Sequence, residues 1–231
     1  MSLQNQKIDS LLKFADPVIA SVLDKALSEK EILPGEALSL FDAKGINFHL
    51  IGMVADLLRK RRVGDMVTYV VNRNINFTNV CIKQCGFCAF SRDFREEEGY
   101  FLPIDEILRR AKEAYHYGAS EVCIQAGLPP DMDSDLYENI CRGIKNEIPD
   151  IHIHGFSPEE VLYGATRQAI SPKEYLIKLK EAGVDTIPGT AAEILNQDLR
   201  DKISPGRITV SYTHLRAHET RHDLVCRLLL E

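Results

Sequence analysis

The sequence lacks several features that would identify whole classes of protein. Its 231 residues contain no tryptophan and no apolar run of about 18 residues, so no segment is expected to span a membrane. The first residues, MSLQNQKIDSLLKFADP, include acidic side chains and lack the apolar stretch of a secretory signal. We therefore expect a cytoplasmic protein whose thiols are kept reduced.

Excess positive charge is also missing. The chain has 28 Lys and Arg against 34 Asp and Glu, for a formal net charge of -6. A protein that holds nucleic acid through phosphate contacts usually carries a basic surplus. The composition therefore argues against a nucleic-acid partner. The one basic run, RKRR at 59–62, is interpreted as the solvated last turn of a helix, where cations suit the helix dipole.

The apolar pattern divides the chain into two parts. Residues 1–65 are predicted to be a helical region, because apolar residues recur there at steps of three and four. From residue 66 to residue 208, β-branched runs alternate with helical patterns, which predicts βαβ units and a parallel sheet. The strand candidates are VTYVVN and INFTNV within 66–80, EVCIQAG at 121–127, DIHIHGFS at 150–157 and VDTIPG at 184–189.

These units predict the fold class, which is α/β. Four βα units are visible, whereas an eight-unit barrel needs about 250 residues. We therefore expect N-terminal helices followed by the first half of a truncated TIM-type barrel, and we expect this chain itself to be inactive. Two capping boxes, Ser157 to Glu160 and Ser171 to Glu174, predict helix starts. A further helix is predicted at 190–203.

The alternation of strand and helix patterns does not continue into the last residues, 209–231. They read TVSYTHLRAHETRHDLVCRLLLE and resemble a translated sequencing-adapter read. We expect this tail to be non-native, so its histidines and Cys226 are excluded from every candidate site.

Three of the six cysteines lie in the stretch CIKQCGFCAF at 81–90, in the pattern CxxxCxxC. Reduced thiols disfavour a disulfide there, and zinc usually takes four ligands from two half-sites. No second CxxC or HxxxH precedes residue 209. Three thiolates suit a 4Fe–4S cluster that leaves one iron open, whereas an electron carrier would use a fourth cysteine. Cys123 and Cys141 are interpreted as small buried hydrophobes.

The spacing, with Phe87 before the third cysteine and a strand before the loop, resembles the radical S-adenosylmethionine (SAM) superfamily. The resemblance implies that Cys81, Cys85 and Cys88 bind three irons of a 4Fe–4S cluster. SAM would chelate the fourth iron, and one electron would cleave its sulfonium to a 5′-deoxyadenosyl radical.

Longer segments resemble one family within this superfamily, the 4-hydroxyphenyl transferase subunit of FO synthase (CofH). They are NRNINFTNVCIKQCGFCAFSRDFREEEGYFLP, EVCIQAGLPPDM, DIHIHGFSPEEVLYGATR and IPGTAAEILNQDLRDKISPGRI. The resemblance implies that L-tyrosine is cleaved and that its 4-hydroxybenzyl group is added to 5-amino-6-(D-ribitylamino)uracil, in deazaflavin biosynthesis. It also implies an electron donor and a second radical SAM subunit, CofG, that closes the ring.

The resemblance also implies roles for further residues in holding SAM. Phe87 would lie near the adenine. Gln125 and Gly127 occupy the place of the superfamily's Gly-Gly-Glu segment, from which this chain departs because no Glu follows the glycine. Ser157 and Glu193 are candidate ribose or methionine contacts. An ordinary glutamate of a first helical turn explains Glu193 equally well.

Other interpretations share part of this pattern. Aminofutalosine and cyclic dehypoxanthine futalosine synthases, and CofG itself, have the cysteine motif, but EEEGYFLP and QAGLPPDM favour the transferase. A non-catalytic iron–sulfur electron carrier would bind no SAM. His152 and His154 share one face of a predicted strand, where either could touch substrate or be a hydrogen-bonded core residue.

Overall fold

The chain divides into two compact units, Met1–Tyr69 and Val70–Glu231. The computed structural model of the protein describes residues 8, 10–83, 85–93, 98–189, 194 and 196–208. The predicted tail at 209–231 and the candidate Glu193 lie outside the described residues, so those predictions stay predictions.

The first unit is helical, as its apolar periodicity predicts. Its helices are α1 (Pro17–Leu27), α2 (Pro34–Phe41) and α3 (Ile46–Val63). The predicted continuous helical face is interrupted before Pro17, where the Asp16 side chain accepts the Val18 N–H at 2.9 Å and starts α1 anew. The buried apolar side chains of this unit, among the described residues, are Ile8, Ile19, Val22, Leu23, Leu50, Val54 and Leu57.

The basic run lies in the last turn of α3, as predicted. Lys60 pairs with Asp65 at 2.8 Å, and Arg62 pairs with Glu29 at 3.3 Å. The Arg61 guanidinium donates to the carbonyl of Leu27 at 3.0 Å. These cations therefore bind acidic and carbonyl groups at or just beyond the C-terminal ends of α1 and α3.

The second unit contains a parallel three-stranded sheet in the order β1 (Asn72–Ile75), β2 (Glu121–Ile124), β3 (His152–Gly155). Asn72 pairs with Glu121, and Glu121 pairs with His152. The parallel sheet was predicted from the alternation of strands and helices. Because all three strands run the same way, their carboxyl ends meet at one edge.

Three strand predictions differ from the structure. The run INFTNV contributes only Ile75 to β1, and its Thr78 and Val80 form isolated bridges with Phe101 and Arg92. Of the run VTYVVN only the last residue, Asn72, belongs to a strand, and Val67 and Tyr69 are exposed. β-branched composition favours a strand only where a neighbouring strand is available to pair. The predicted fourth strand is represented, in the described part of the chain, by a parallel bridge between His154 and Thr186.

Helices flank this sheet and cover its apolar face. They are α4 (Ile104–His116), α5 (Leu136–Glu147), α6 (Pro158–Arg167) and α7 (Pro172–Ala182), and the short helix α8 (Gln197–Ile203) follows them without contributing to this core. The alternation along β2 and β3 directs Val122, Ile124 and Ile153 into the core, where all three are fully buried. Among the described residues, no helix combines the length and the apolarity needed to cross a membrane.

The segments that follow β1 and β2 lie against each other. The Gly127 N–H donates to the carbonyl of Thr78 at 2.9 Å, and the Ile82 N–H donates to that of Leu128 at 2.8 Å. A Cβ at residue 127 would lie 2.2 Å from the carbonyl oxygen of Val80. Glycine is therefore required for this approach, because any side chain would push the two backbones apart.

The two predicted capping boxes both form, in different surroundings. Ser157 and Glu160 cap α6, and Ser171 and Glu174 cap α7, with the same reciprocal hydrogen bonds. Burial raises the pKa of Glu160 to about 7, although hydrogen bonds from Ser157 and Ala126 act in the opposite sense. Glu174 is on the surface, and hydrogen bonds from Ser171 lower the pKa of its carboxyl.

Replacing Gly127 by Ala is expected to lower the free energy of unfolding by about 1–3 kcal/mol, because the added methyl group overpacks the contact with Val80. Gly52→Ala is the matched control. It lies in α3 with open space around the new Cβ, and is expected to stabilise by about 0.5–1 kcal/mol. Urea denaturation measures both. Equal effects of the two substitutions would contradict the close approach.

The pH dependence of stability should differ between the two caps. Glu160 keeps its proton in the folded state to a higher pH than in the unfolded state. Its contribution to the free energy of unfolding therefore falls as the pH rises from about 4.5 to about 7, by on the order of 3 kcal/mol at about 1.4 kcal/mol per pKa unit. Relative to Glu160→Gln, the parent should lose stability over this range in denaturant titrations.

Glu174→Gln provides the opposite control for this pH dependence. Its folded-state pKa is lowered, so the stability that it contributes is present above the ordinary carboxyl pKa and is lost as the pH falls. Parallel stability curves for the parent and Glu160→Gln would contradict the burial effect.

Candidate functional site

A cleft of about 150 Å³ lies where the segments that follow the three strands meet. It is smaller than the roughly 300 Å³ at which pockets for drug-sized molecules begin, so it can hold a cluster or one end of a larger molecule. All three cysteines of CxxxCxxC are in its wall. Its lining residues are Cys81, Lys83, Cys85, Phe87, Cys88, Phe90, Ser91, Ala126, Gly127, Leu128, Ser157, Glu159, Glu160 and Arg207.

The three cysteines are free thiols, and each sulfur has an N–H group nearby. The backbone N–H of Lys83 donates to the Cys81 sulfur at 3.4 Å, and that of Ser91 to the Cys88 sulfur at 3.4 Å. The Arg207 guanidinium lies 3.9 Å from the Cys85 sulfur. Such contacts favour the thiolate, the form in which cysteine binds metals.

Backbone contacts hold the cysteine loop in place. The Cys81 N–H donates to the carbonyl of Arg92 at 3.1 Å, which closes the loop on itself. The Gly86 N–H donates to the carbonyl of Ile203, at the end of α8, at 2.7 Å. The loop is therefore positioned by its own residues around Arg92 on one side and by α8 on the other.

The pKa values of two of the thiols shift in opposite directions. Burial raises the pKa of Cys85, while the nearby Arg207 acts against the increase. At Cys88 burial acts in the same raising sense, but hydrogen bonds from Ser91 and from the Phe90 backbone outweigh it and lower the pKa. Cys88, the more exposed of the two, is thus the easier to deprotonate.

A buried ion-pair network borders the cysteines. Glu159 accepts the Ile208 N–H at 2.9 Å, and its carboxylate lies 3.2 Å from the Lys83 ammonium and 3.9 Å from the Arg207 guanidinium. Sequence reasoning missed all three side chains. Lys83 could have been found from its position between two cysteines, and Glu159 from its position just after a strand end. Arg207 carried no sequence signal of its own.

Glu160 is the second acidic residue that sequence reasoning treated only as part of a helix cap. The residue is 2% exposed, and its carboxyl group accepts the Ser157 N–H at 2.7 Å, the Ser157 hydroxyl at 2.6 Å and the Ala126 N–H at 2.9 Å. It therefore connects the segments that follow β2 and β3.

The other predicted cofactor residues are placed as follows. Phe87, Gly127 and Ser157 line the cleft with the cysteines, and Phe87 is 48% exposed. Gln125 is adjacent to the cleft but does not line it, within the part of the chain that the structure describes; its carbonyl accepts the Asn76 side-chain N–H at 2.8 Å. Glu193, as stated above, is not described.

His152 and His154 lie on β3, on the face opposite the core. The Thr186 hydroxyl is 2.7 Å from a ring nitrogen of His152 and 2.6 Å from one of His154. With Glu121, they form the one group of three His, Cys, Asp or Glu ligand atoms that lie within 4.8 Å of one another, among the residues described. At least one pair of the three cysteine sulfurs is therefore farther apart than that.

The donor set in the cleft matches a 4Fe–4S cluster better than a single ion. Three thiols converge without a fourth cysteine in the lining, and at least one pair of their sulfurs is more than 4.8 Å apart. N–H groups contact each sulfur, as they do around protein-bound clusters. Cys141 is fully buried in the core, as predicted. The prediction of a buried Cys123 is wrong, because Cys123 lies on the face of β2 opposite the core and is only half-buried.

Comparison with known proteins agrees with this geometry. A 5-amino-6-(D-ribitylamino)uracil–L-tyrosine 4-hydroxyphenyl transferase of Methanothermobacter thermautotrophicus is 46% identical over 188 residues, which cover 81% of this chain and 51% of that protein. An FO synthase of Streptomyces coelicolor is 42% identical over 210 residues, which cover 91% of this chain and 24% of that protein. The chain thus spans about half the length of the first relative and about a quarter of the second.

The fold is shared with a solved structure of HydG, a maturase of the [FeFe]-hydrogenase, at a TM-score of 0.62 and 19% identity, covering 92% of this chain and 46% of HydG. Residues 75–220 match the family described as the radical SAM superfamily, a range that begins in β1 and includes the whole cysteine loop. The chain therefore belongs to the radical SAM superfamily.

Proposed function

We propose that this chain carries the radical SAM part of a 4-hydroxyphenyl transferase. In this reaction L-tyrosine is cleaved and its 4-hydroxybenzyl group is added to 5-amino-6-(D-ribitylamino)uracil, on the way to the deazaflavin FO. The observation that carries the proposal is the meeting of Cys81, Cys85 and Cys88 with the strand-end segments in one cleft. The relatives named for this transferase and for FO synthase support the choice of substrates.

We assign the three cysteines as ligands of a 4Fe–4S cluster and the rest of the cleft to SAM. When bound, the reduced cluster and SAM supply a carbon radical that abstracts hydrogen from substrate. Phe87 offers an exposed ring against which an adenine can stack. Gln125, Gly127 and Ser157 present backbone groups at the strand ends, and Glu193 is retained as a candidate from the resemblance alone.

The charged residues of the cleft suit this assignment. Thiolate ligands bring negative charge into a partly buried site, which needs compensation. Arg207 beside Cys85, and Lys83 within the loop, provide it. Glu159 holds both cations in place and anchors the backbone of Ile208. This chain's residues thereby prepare the site electrostatically before any cofactor binds.

We further propose that the four βα units form the first half of a TIM-type barrel. The bridge from His154 to Thr186 supports a fourth strand in the expected position, and the likeness to HydG supports the overall architecture. In such a barrel the face that carries His152 and His154 would point inward, toward substrate.

The remaining partners follow from the reaction rather than from the structure. We propose a one-electron donor for the cluster and a CofG-type radical SAM subunit that acts on the product. The net charge of -6 supports the absence of a nucleic-acid partner. We propose a cytoplasmic location, where thiols are kept reduced and available as ligands.

The direct test is anaerobic reconstitution with iron and sulfide, followed by reduction and addition of SAM, L-tyrosine and the ribitylaminouracil. Mass spectrometry should detect 5′-deoxyadenosine and a hydroxybenzyl–uracil adduct in a protein completed to the length of its relatives, because the chain by itself is expected to be inactive. Cys85→Ala should lower both by more than the about 10–100-fold that loss of an outer-shell partner costs, because it removes an iron ligand. Cys141→Ala, at a cysteine that is buried in the core and lies outside the cleft lining, should leave both unchanged.

The same assay is run on a fusion in which the transferase relative supplies the half of its length that this chain does not span. Adduct formation by either protein would support the proposal. Deoxyadenosine without adduct in both would refute the substrates and favour a futalosine-type reaction. A cluster that forms but never cleaves SAM would refute the enzyme and favour an electron carrier.

A further inference from the structure

Glu160 makes more contacts than its helix cap requires. Its Oε2 accepts both the N–H and the hydroxyl of Ser157, which completes the cap of α6. Its Oε1 reaches a different strand end and accepts the Ala126 N–H at 2.9 Å. The carboxyl is buried and lines the cleft that contains the three cysteines.

The cap of α7 shows what a cap alone looks like in this chain. Glu174 accepts the Ser171 N–H at 2.9 Å and the Ser171 hydroxyl at 2.8 Å, and is exposed to solvent. Capping therefore demands neither burial nor a bond to another segment. Burying a carboxyl group is costly unless its hydrogen-bonding capacity is used. Capping alone therefore does not explain why Glu160 is buried and bonded to a second segment.

The segment that Glu160 holds is fixed at all three of its residues. Asn76 donates to the carbonyl of Gln125 at 2.8 Å, and the Gly127 N–H donates to the carbonyl of Thr78 at 2.9 Å. Ala126, between them, has no polar side chain, so only its backbone can be anchored. The bond to Glu160 supplies that anchor from α6.

Glu160 and its neighbour Glu159 also differ in the charge of the groups that surround them. Glu159 faces the cations Lys83 and Arg207, which balance its charge. The hydrogen-bond partners of Glu160 are the neutral donors of Ser157 and Ala126. Burial among neutral donors raises the pKa of Glu160, so a cationic ligand that binds beside it would favour its carboxylate form, and SAM carries both an ammonium and a sulfonium group.

We propose that Glu160 is a positioning residue for SAM. It holds residues 125–127 in the conformation that receives the amino-acid end of SAM, and it supplies from α6 an acidic group that this segment lacks in sequence. This inference rests on the proposed function, because it takes SAM as the ligand of the cleft.

The test compares Glu160→Gln, Glu160→Asp and the matched control Glu174→Gln in the reconstituted protein. Three quantities are measured for each: bound iron, the dissociation constant of SAM followed by the change it causes in the electron paramagnetic resonance spectrum of the reduced cluster, and hydrogen exchange of the Ala126 amide. Glu160→Gln replaces one acceptor oxygen by an NH₂ group. This group faces the donors of Ser157 and Ala126 and cannot accept their hydrogen bonds. The Asp substitution keeps the charge but is one methylene too short to reach both Ser157 and Ala126.

We expect Glu160→Gln to keep its iron, to weaken SAM binding about tenfold or more, and to speed exchange at Ala126. Glu160→Asp should show the same changes to a smaller degree, and it tests the inference if the Gln variant does not fold. Glu174→Gln should bind SAM like the parent, because it loses only a cap.

Two results would overturn the inference while leaving the proposed function intact. One is parental SAM affinity in both Glu160 variants. The other is equal weakening in Glu174→Gln, which would show a general effect of losing a cap. A parent protein that assembles its cluster but binds no SAM would instead refute the proposed function, and the role of Glu160 with it.

Discussion

The close approach of two backbones, at Gly127 and Val80, is the constraint on which the candidate site depends. The segment after β2 lies so near the segment after β1 that a Cβ at residue 127 would be 2.2 Å from the Val80 carbonyl oxygen. Cys81 follows Val80 directly, so this contact sets the position of the first cysteine. The hydrogen bonds from Gly127 to Thr78 and from Ile82 to Leu128 then hold the two segments in register.

A second set of contacts closes the site from the direction of α6 and α8. Glu159 and Glu160 are adjacent at the start of α6, yet they serve different neighbours. Glu159 balances Lys83 and Arg207 beside the cysteine sulfurs, whereas Glu160 ties Ala126 to the cap of its own helix. Successive residues of a helix point about 100° apart, so one helix start can reach both an ion pair and a strand end.

Much of the fold could be predicted from the local pattern. The α/β class, the parallel sheet and both capping boxes follow from periodicity and from the order of residue types, which act over a few neighbouring positions. The run VTYVVN was predicted as a strand and is largely unpaired and exposed, because pairing depends on a neighbour that composition does not reveal. The same limit explains why the fourth strand appears as a single bridge at Thr186 in the described residues.

The sequence by itself was enough to identify the three cysteines, their spacing and their position after a strand, because these features depend only on the order of residues in the chain. It also determined the superfamily, because the match runs through that motif. Only the tertiary structure decided that Lys83, Glu159, Glu160 and Arg207 lie in the same cleft. Lys83 and Arg207 are far apart in the chain, and a contact between distant residues depends on how whole helices and strands pack. No local sequence pattern encodes that packing, so only the tertiary structure identifies these residues as part of the cleft.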